Sequence, residues 1–249
     1  MNYQKIISHL YSVANQRIAE HSQKFFKTGE GEYGHGDKFL GIRVPVVRLA
    51  VKRYKSTSLK TTIKLLHSEF HEIRLFALLL MVSQFANSNA DKQEKIYNIY
   101  LNNTQYINNW DLVDTTAPHI IGKYLENKDR TILHQLSKSD SLWERRITIL
   151  STFHFIRKND FKYTLSISKQ LLNDEEDLIH KAVGWMLREV GKRNLSDEVK
   201  FLNIHYQEMP RTMLRYAIEK FSKEERYKYL TVIWSVAKRF SAKCMGASK

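Results

Sequence analysis

From about residue 44 onward, apolar residues recur at intervals of three and four, the spacing that gathers them on one face of an α-helix. No stretch of useful length shows the alternation of a strand. Pro occurs only three times, at Pro45, Pro118 and Pro210. Breaks rich in Asn, Asp, Ser and Lys fall near 56–58, 87–91, 102–108, 126–130, 137–141, 157–160, 173–177, 193–197 and 207–210. Such residues favour helix ends because their side chains compete for backbone hydrogen bonds. The pattern predicts an all-α chain of about a dozen helices, each of roughly 10–20 residues.

The helices also repeat. Arg74, Arg146, Lys181 and Arg215 each accompany a run of small or apolar residues, and the gaps between them are 72, 35 and 34. The first gap is two periods of 36, with the intervening unit at Trp110. A period of about 33–38 residues with two helices per unit predicts a single α-solenoid of HEAT-like repeats. The marked helices would line its concave groove together. The expected organisation is one domain over 1–249: an N-terminal cap over 1–43, repeats over 44–236 and a basic tail over 237–249. The cap reads as one amphipathic helix, about Tyr3 to Phe26, followed by a flexible loop holding five of the nine glycines, Gly29 to Gly41.

Lys and Arg number 40 against 26 Asp and Glu, a net charge of +14. That excess favours a nucleic acid, an anionic membrane or another acidic partner. The longest apolar run, Leu75 to Val82, has eight residues, too few to span a bilayer. The N-terminus lacks the apolar run of a signal peptide, and the single cysteine, Cys244, permits no internal disulfide. A soluble intracellular protein is expected. On a solenoid, Arg48, Arg74, Arg146, Lys181, Arg188, Arg211 and Arg215 could form a cationic stripe matched to phosphates. The alternative is that such residues tie repeats to carboxylates such as Glu72, Glu144 and Glu189.

Two literal motifs carry little. Gly29-Glu-Gly31-Glu-Tyr-Gly34 matches a dinucleotide fingerprint, but no strand precedes it, and Glu30 and Glu32 would repel a pyrophosphate. His67 and His71 have zinc-compatible spacing without an evident third ligand. No metal or cofactor is expected. Trp110 and Asp114, at i and i+4, project from one face of a helix. Asp111 could cap that helix, whereas Asp114 lies a turn further in and is less easily explained as a cap. A carboxylate beside an indole in a strongly basic chain suits a polyanion with a local positive charge, such as a nucleic acid carrying a cationic damaged base. Trp143 reads best as core.

Four stretches resemble the bacterial DNA alkylation repair family, the AlkD-like glycosylases. They are Trp110-Asp-Leu-Val-Asp114, Leu142-Trp-Glu-Arg-Arg146 with Ile147-Thr-Ile149, Lys181-Ala-Val-Gly-Trp185-Met-Leu-Arg-Glu189, and Phe39-Leu-Gly-Ile-Arg-Val-Pro45. The resemblance runs from about residue 20 to 235. It implies a HEAT-like solenoid cradling double-stranded DNA and excising N3- and N7-alkylated purines. It also implies that Asp114, Trp110, Arg146 and Trp185 are the catalytic set, with Arg145 as the alternative arginine and Phe25 near the DNA. A monomeric cytoplasmic enzyme, nucleoid-associated when bound to DNA, follows. The competing readings are a non-catalytic HEAT-repeat binder of damaged or branched DNA, and a scaffold for an acidic peptide.

Overall fold

The computed structural model describes residues 2–231, so the basic tail from 237 and Cys244 lie outside the described residues. The described part is all-α, with no strand; one isolated parallel bridge joins Lys38 to Phe70. No described helix is long and apolar enough to cross a membrane. The described residues pack as two compact units, one up to residue 132 and one from residue 133.

The first unit contains α1 (Tyr3–Ser12), α2 (Gln16–Phe25), α3 (Val44–Arg53), α4 (Leu59–Leu66), α5 (His71–Ala86), α6 (Ala90–Leu101) and α7 (Trp110–Asp114). A π-helical turn, Pro118–Gly122, follows α7. The helix α5 is apolar nearly all round, as a helix packed on several sides must be. Helices α3, α4, α6 and α7 all pack against it. Side chains at the predicted breaks accept the orphan N–H groups of helix starts: Ser58 from Thr61 at 3.3 Å and Asn89 from Lys92 at 3.2 Å.

The expected single helix over Tyr3 to Phe26 is instead two, broken at 13–15. The cause is tertiary. The backbone N–H of Asn15 donates to Leu40 at 2.9 Å, and the Asn15 side chain caps α2 through Ile18 at 3.0 Å. Gly41, at φ +77°, passes so close that a Cβ there would lie 2.0 Å from the Asn15 carbonyl. The chain leaving the glycine-rich loop therefore occupies the space in which a continuous helix would run.

The second unit contains most of α8 (Thr131–Leu136), then α9 (Leu142–Ile156), α10 (Lys162–Gln170), α11 (Asp177–Gly191), α12 (Leu195–His205) and α13 (Arg211–Ala217). Helices α9, α11 and α13 pack on one another in turn, while α10 packs on α9 and α11, and α12 packs on α11. Helices α9, α11 and α13 thus form a stack within this unit. Gly184 makes the α11–α13 approach possible: a Cβ there would lie 2.3 Å from the Met213 carbonyl.

Under α11, Glu198 is 2% exposed, and burial pushes its carboxyl up to about 8, the Arg188 charge offsetting part of that. The folded state thus holds a proton that the unfolded chain releases. This contribution to stability is whole below about 4.5 and is lost as pH rises through about 8. Glu198→Gln is expected to raise the melting temperature by several degrees at pH 9 and to leave it unchanged at pH 5. Scanning calorimetry of the full chain at the two pH values checks this; equal shifts at both would contradict it.

Candidate functional site

The site in the first unit grows from the glycine-rich loop. That loop is folded into turns closed by backbone hydrogen bonds, such as Gly34 N to Lys27 O at 3.0 Å and Asp37 N to Gly34 O at 3.0 Å, and it delivers Asp37 into the interior at 7% exposure. The Asp37 carboxylate accepts from Arg74 Nη2 at 2.7 Å and from His71 Nδ1, Asn108 Nδ2 and Asn109 Nδ2, each at 3.3 Å. On the other side of the ring, His71 Nε2 meets Asp111 Oδ2 at 2.9 Å. Burial alone would push the Asp37 carboxyl up, but His71, Arg74 and Asn109 outweigh it and hold it below the usual carboxylate range. Burial would likewise depress His71; the carboxylates of Asp111 and Asp37 reverse this and raise it to about 9, against an opposing effect of Arg74. At neutral pH both ring nitrogens therefore donate.

The neighbouring Glu72 acts as a clamp for the same segment. Its carboxylate accepts the backbone N–H groups of Leu40, Gly41 and Ile42 at 2.9, 2.8 and 3.1 Å. It sits in the first turn of α5, where the helix dipole also favours an anion.

Aromatic rings cover this network. Phe26 stacks on Trp110 with centroids 5.4 Å apart and on Phe39 at 5.2 Å. His71 lies against Phe39 at 4.7 Å and Phe26 at 4.9 Å, so its cation faces ring π-systems. Phe25, 58% exposed, meets Trp110 edge-on at 6.0 Å. Trp110 and Asp114 are half-buried, one turn apart on α7. Together with burial, the Asp114 charge holds the buried Tyr100 hydroxyl protonated beyond its ordinary range. Asp111 accepts from Leu112 N at 2.9 Å, a local cap, but its bond to His71 is the longer-range one. A groove of about 820 Å³ opens in this unit, lined by Phe26, Phe39, His71 and Asp111 and by the exposed Arg17 and Arg43.

In the second unit, Trp185 is half-buried, its indole N–H donating to Glu189 at 3.1 Å and its ring tilted against Phe153 at 5.8 Å. Arg146 is 4% exposed and donates to the Leu178 carbonyl. Arg145 is bound to Asp174 at 2.6 and 3.3 Å and to two backbone carbonyls. Trp143 is half-buried.

The expected cationic stripe is only partly present as free charge. Arg74 must be removed from it: the side chain is 4% exposed, paired with Asp37 and bonded to the Ser68 and Glu69 carbonyls. Burial likewise removes Arg146 as an exposed phosphate ligand. Arg188 pairs with Glu219, Lys181 with Asp177 at 2.7 Å, and Arg211 donates to the Leu230 carbonyl at 2.9 Å. Arg48 and Arg215 are exposed and form no ion pair among the described residues. The two histidines at zinc-like spacing go to separate networks. His67 stacks on Tyr106 at 4.2 Å and meets Asn103 Oδ1 at 2.6 Å, whereas His71 is enclosed between carboxylates.

Reading the sequence missed Asp37, Asn109 and the role of His71. One signal was available: His71, Glu72 and Arg74 open the most apolar of the described helices, where charged groups need internal partners.

No curated protein matches the chain. Among solved structures, one described as a predicted DNA alkylation repair enzyme from Enterococcus faecalis superposes with a TM-score of 0.65 at 17% identity. It covers 84% of this chain and 97% of its own, which establishes a shared fold. A family model described as DNA alkylation repair enzyme matches residues 6–221, most of the sequence. The chain belongs to the DNA alkylation repair enzyme family.

Proposed function

We propose that, within the DNA repair role its family supports, the chain is a glycosylase releasing N3- and N7-alkylated purines from double-stranded DNA. The observation that carries this reading is the pair on α7: a half-buried indole and a half-buried carboxylate one turn apart on one short helix. Alkylation at N3 or N7 makes the purine cationic. When the bond from the sugar C1′ to the purine nitrogen breaks, its electron pair goes to the base, which departs neutral. No strong general acid is needed.

What needs stabilising is the oxocarbenium character left on the sugar, as in glycoside cleavage generally. A fixed carboxylate at Asp114 supplies that stabilisation and can orient the water that adds to C1′, giving an abasic site. Trp110 offers a π face to the cationic nucleotide; Phe26 already stacks on the ring and fixes its plane. Trp185 is the second unit's candidate for DNA contact, with its orientation set by Glu189. Buried Arg146 serves to orient neighbouring groups rather than to dock phosphate. Catalysis is taken to proceed without extruding the base.

The test is selectivity for leaving-group charge. Incubation with duplexes carrying 7-methylguanine, 3-methyladenine or 8-oxoguanine should release the two cationic bases and leave the neutral one. Release of 8-oxoguanine at a similar rate would contradict the mechanism. Binding without release of any base would favour a non-catalytic binder of damaged DNA.

Docking should rest on the exposed cations. Arg48→Glu or Arg215→Glu is expected to weaken binding to damaged and undamaged duplexes alike, and to lower the slope of log K against log salt by about one per lost contact. Titrations at several salt concentrations check this. A loss confined to damaged duplex would contradict it.

A further inference from the structure

We propose that His71, bridging the carboxylates of Asp37 and Asp111, is the positioning residue that orients α7 and with it Trp110 and Asp114. The inference rests on the reading of those two residues as the lesion-engaging pair, and its test separates the two claims.

A helix of five residues cannot hold its own geometry in water, because helix nucleation is unfavourable and a single turn recovers little. Its orientation must come from outside. Apolar contact supplies part: Leu112 and Val113 are fully buried, and α7 packs on α5. Burial of two aliphatic side chains constrains rotation about the helix axis less sharply than hydrogen bonds do, since apolar attraction is non-directional. The directional bonds around the start of α7 converge on one cluster. Asn108 and Asn109 donate to Asp37, and Asp111 accepts from His71. Among the described residues, His71 is the one group hydrogen-bonded to both the loop carboxylate and the helix carboxylate, and it is 1% exposed.

Charge counting gives the same answer. The groups facing the ring are Asp37 from the loop, Asp111 from α7 and Arg74 from its own helix. Glu72, next in sequence, is committed to the amides of residues 40–42, and Lys38 to Glu69. Arg17, His21 and Arg43 line the adjoining groove. Two carboxylates and one guanidinium close to neutrality only when His71 carries its proton. With the proton lost, the ring keeps one N–H for two acceptors, and one of the two carboxylates loses its bond to the ring. Because the folded-state value is raised from 6.5 to about 9, the ring keeps its proton and the positioning through neutral pH and loses both as pH rises through about 9. The linked contribution to stability is whole below about 6.5 and is lost as pH rises through about 9.

The experiment uses the full chain labelled with 5-fluorotryptophan; Trp110→Phe assigns the Trp110 fluorine resonance among the four tryptophans. His71→Phe keeps a ring against Phe39 and Phe26 but removes both polar bonds. The single-turnover rate of base release from a 7-methylguanine duplex should fall by about 10–100-fold in this variant, as small misplacements of reacting groups do. Its affinity for undamaged duplex should stay unchanged, and the Trp110 resonance should shift or broaden. In wild type, the rate and the Trp110 resonance should both titrate near pH 9, a profile absent from His71→Phe.

A folded His71→Phe that keeps the wild-type rate and the wild-type resonance overturns the proposal. If that variant does not fold, the wild-type titration decides, and a Trp110 resonance flat through pH 9 overturns it. If wild type releases no base, the glycosylase reading falls, and the fluorine shift alone decides whether His71 positions α7.

Discussion

Asp114→Asn is expected to reduce base release from a 7-methylguanine duplex by about a hundredfold to a thousandfold, the scale on which removal of one preorganised electrostatic group acts. Affinity for the same duplex should hardly change. The two effects separate because the carboxylate opposes positive charge that develops on the sugar only as the bond breaks. A contact realised mainly in the transition state alters the chemical step and not docking. The amide is nearly isosteric and can accept a hydrogen bond, so folding should be spared. Single-turnover rates with saturating enzyme, set beside equilibrium binding, check the split. Equal losses in rate and affinity would mean that Asp114 acts through docking or folding.

Asp37→Ala is expected to destabilise the first unit by about 3–5 kcal/mol, the usual cost of leaving buried charges without their partner. At about 2–4 °C per kcal/mol for a chain of this size, the melting temperature should drop by roughly ten degrees. Four donors converge on that carboxylate, two of them cationic, and Arg74 has no route to solvent at 4% exposure. The pH dependence has a definite sign. The Asp37 carboxyl is held below its ordinary value, so its contribution is present above about pH 4 and is lost as pH falls through the depressed folded-state value. Thermal melts of wild type and variant should therefore converge in strong acid. A variant that melts like wild type at pH 7 would show that the Asp37 network is not what holds the loop to α5.

Local chemistry made much of the helical framework legible. Ser58, Asn89, Ser141 and Asn194 stand at predicted breaks, and each caps the helix that follows. The break at 13–15 was illegible because its cause, the chain at Leu40 and Gly41, lies some 26 residues away. Periodicity placed Trp110 and Asp114 one turn apart, and so they are. It also placed Arg74 on a cationic stripe. A repeat marks equivalent positions, however, and does not say whether each faces water or a carboxylate delivered from elsewhere. Asp37 reaches His71 and Arg74 across 34 and 37 residues, through a loop whose glycines read as freedom rather than as turns. The pairing of His71 with Asp111, 40 residues apart, was hidden for the same reason.

The most direct test of the central claim is a single-turnover incubation of the wild-type chain with a duplex carrying one 7-methylguanine. Free base would be followed by mass spectrometry and the abasic site by alkaline strand cleavage. The account predicts that both appear together in equal amounts. Tight binding of the duplex with neither product would contradict it and leave a protein that holds alkylated DNA without cutting the glycosidic bond.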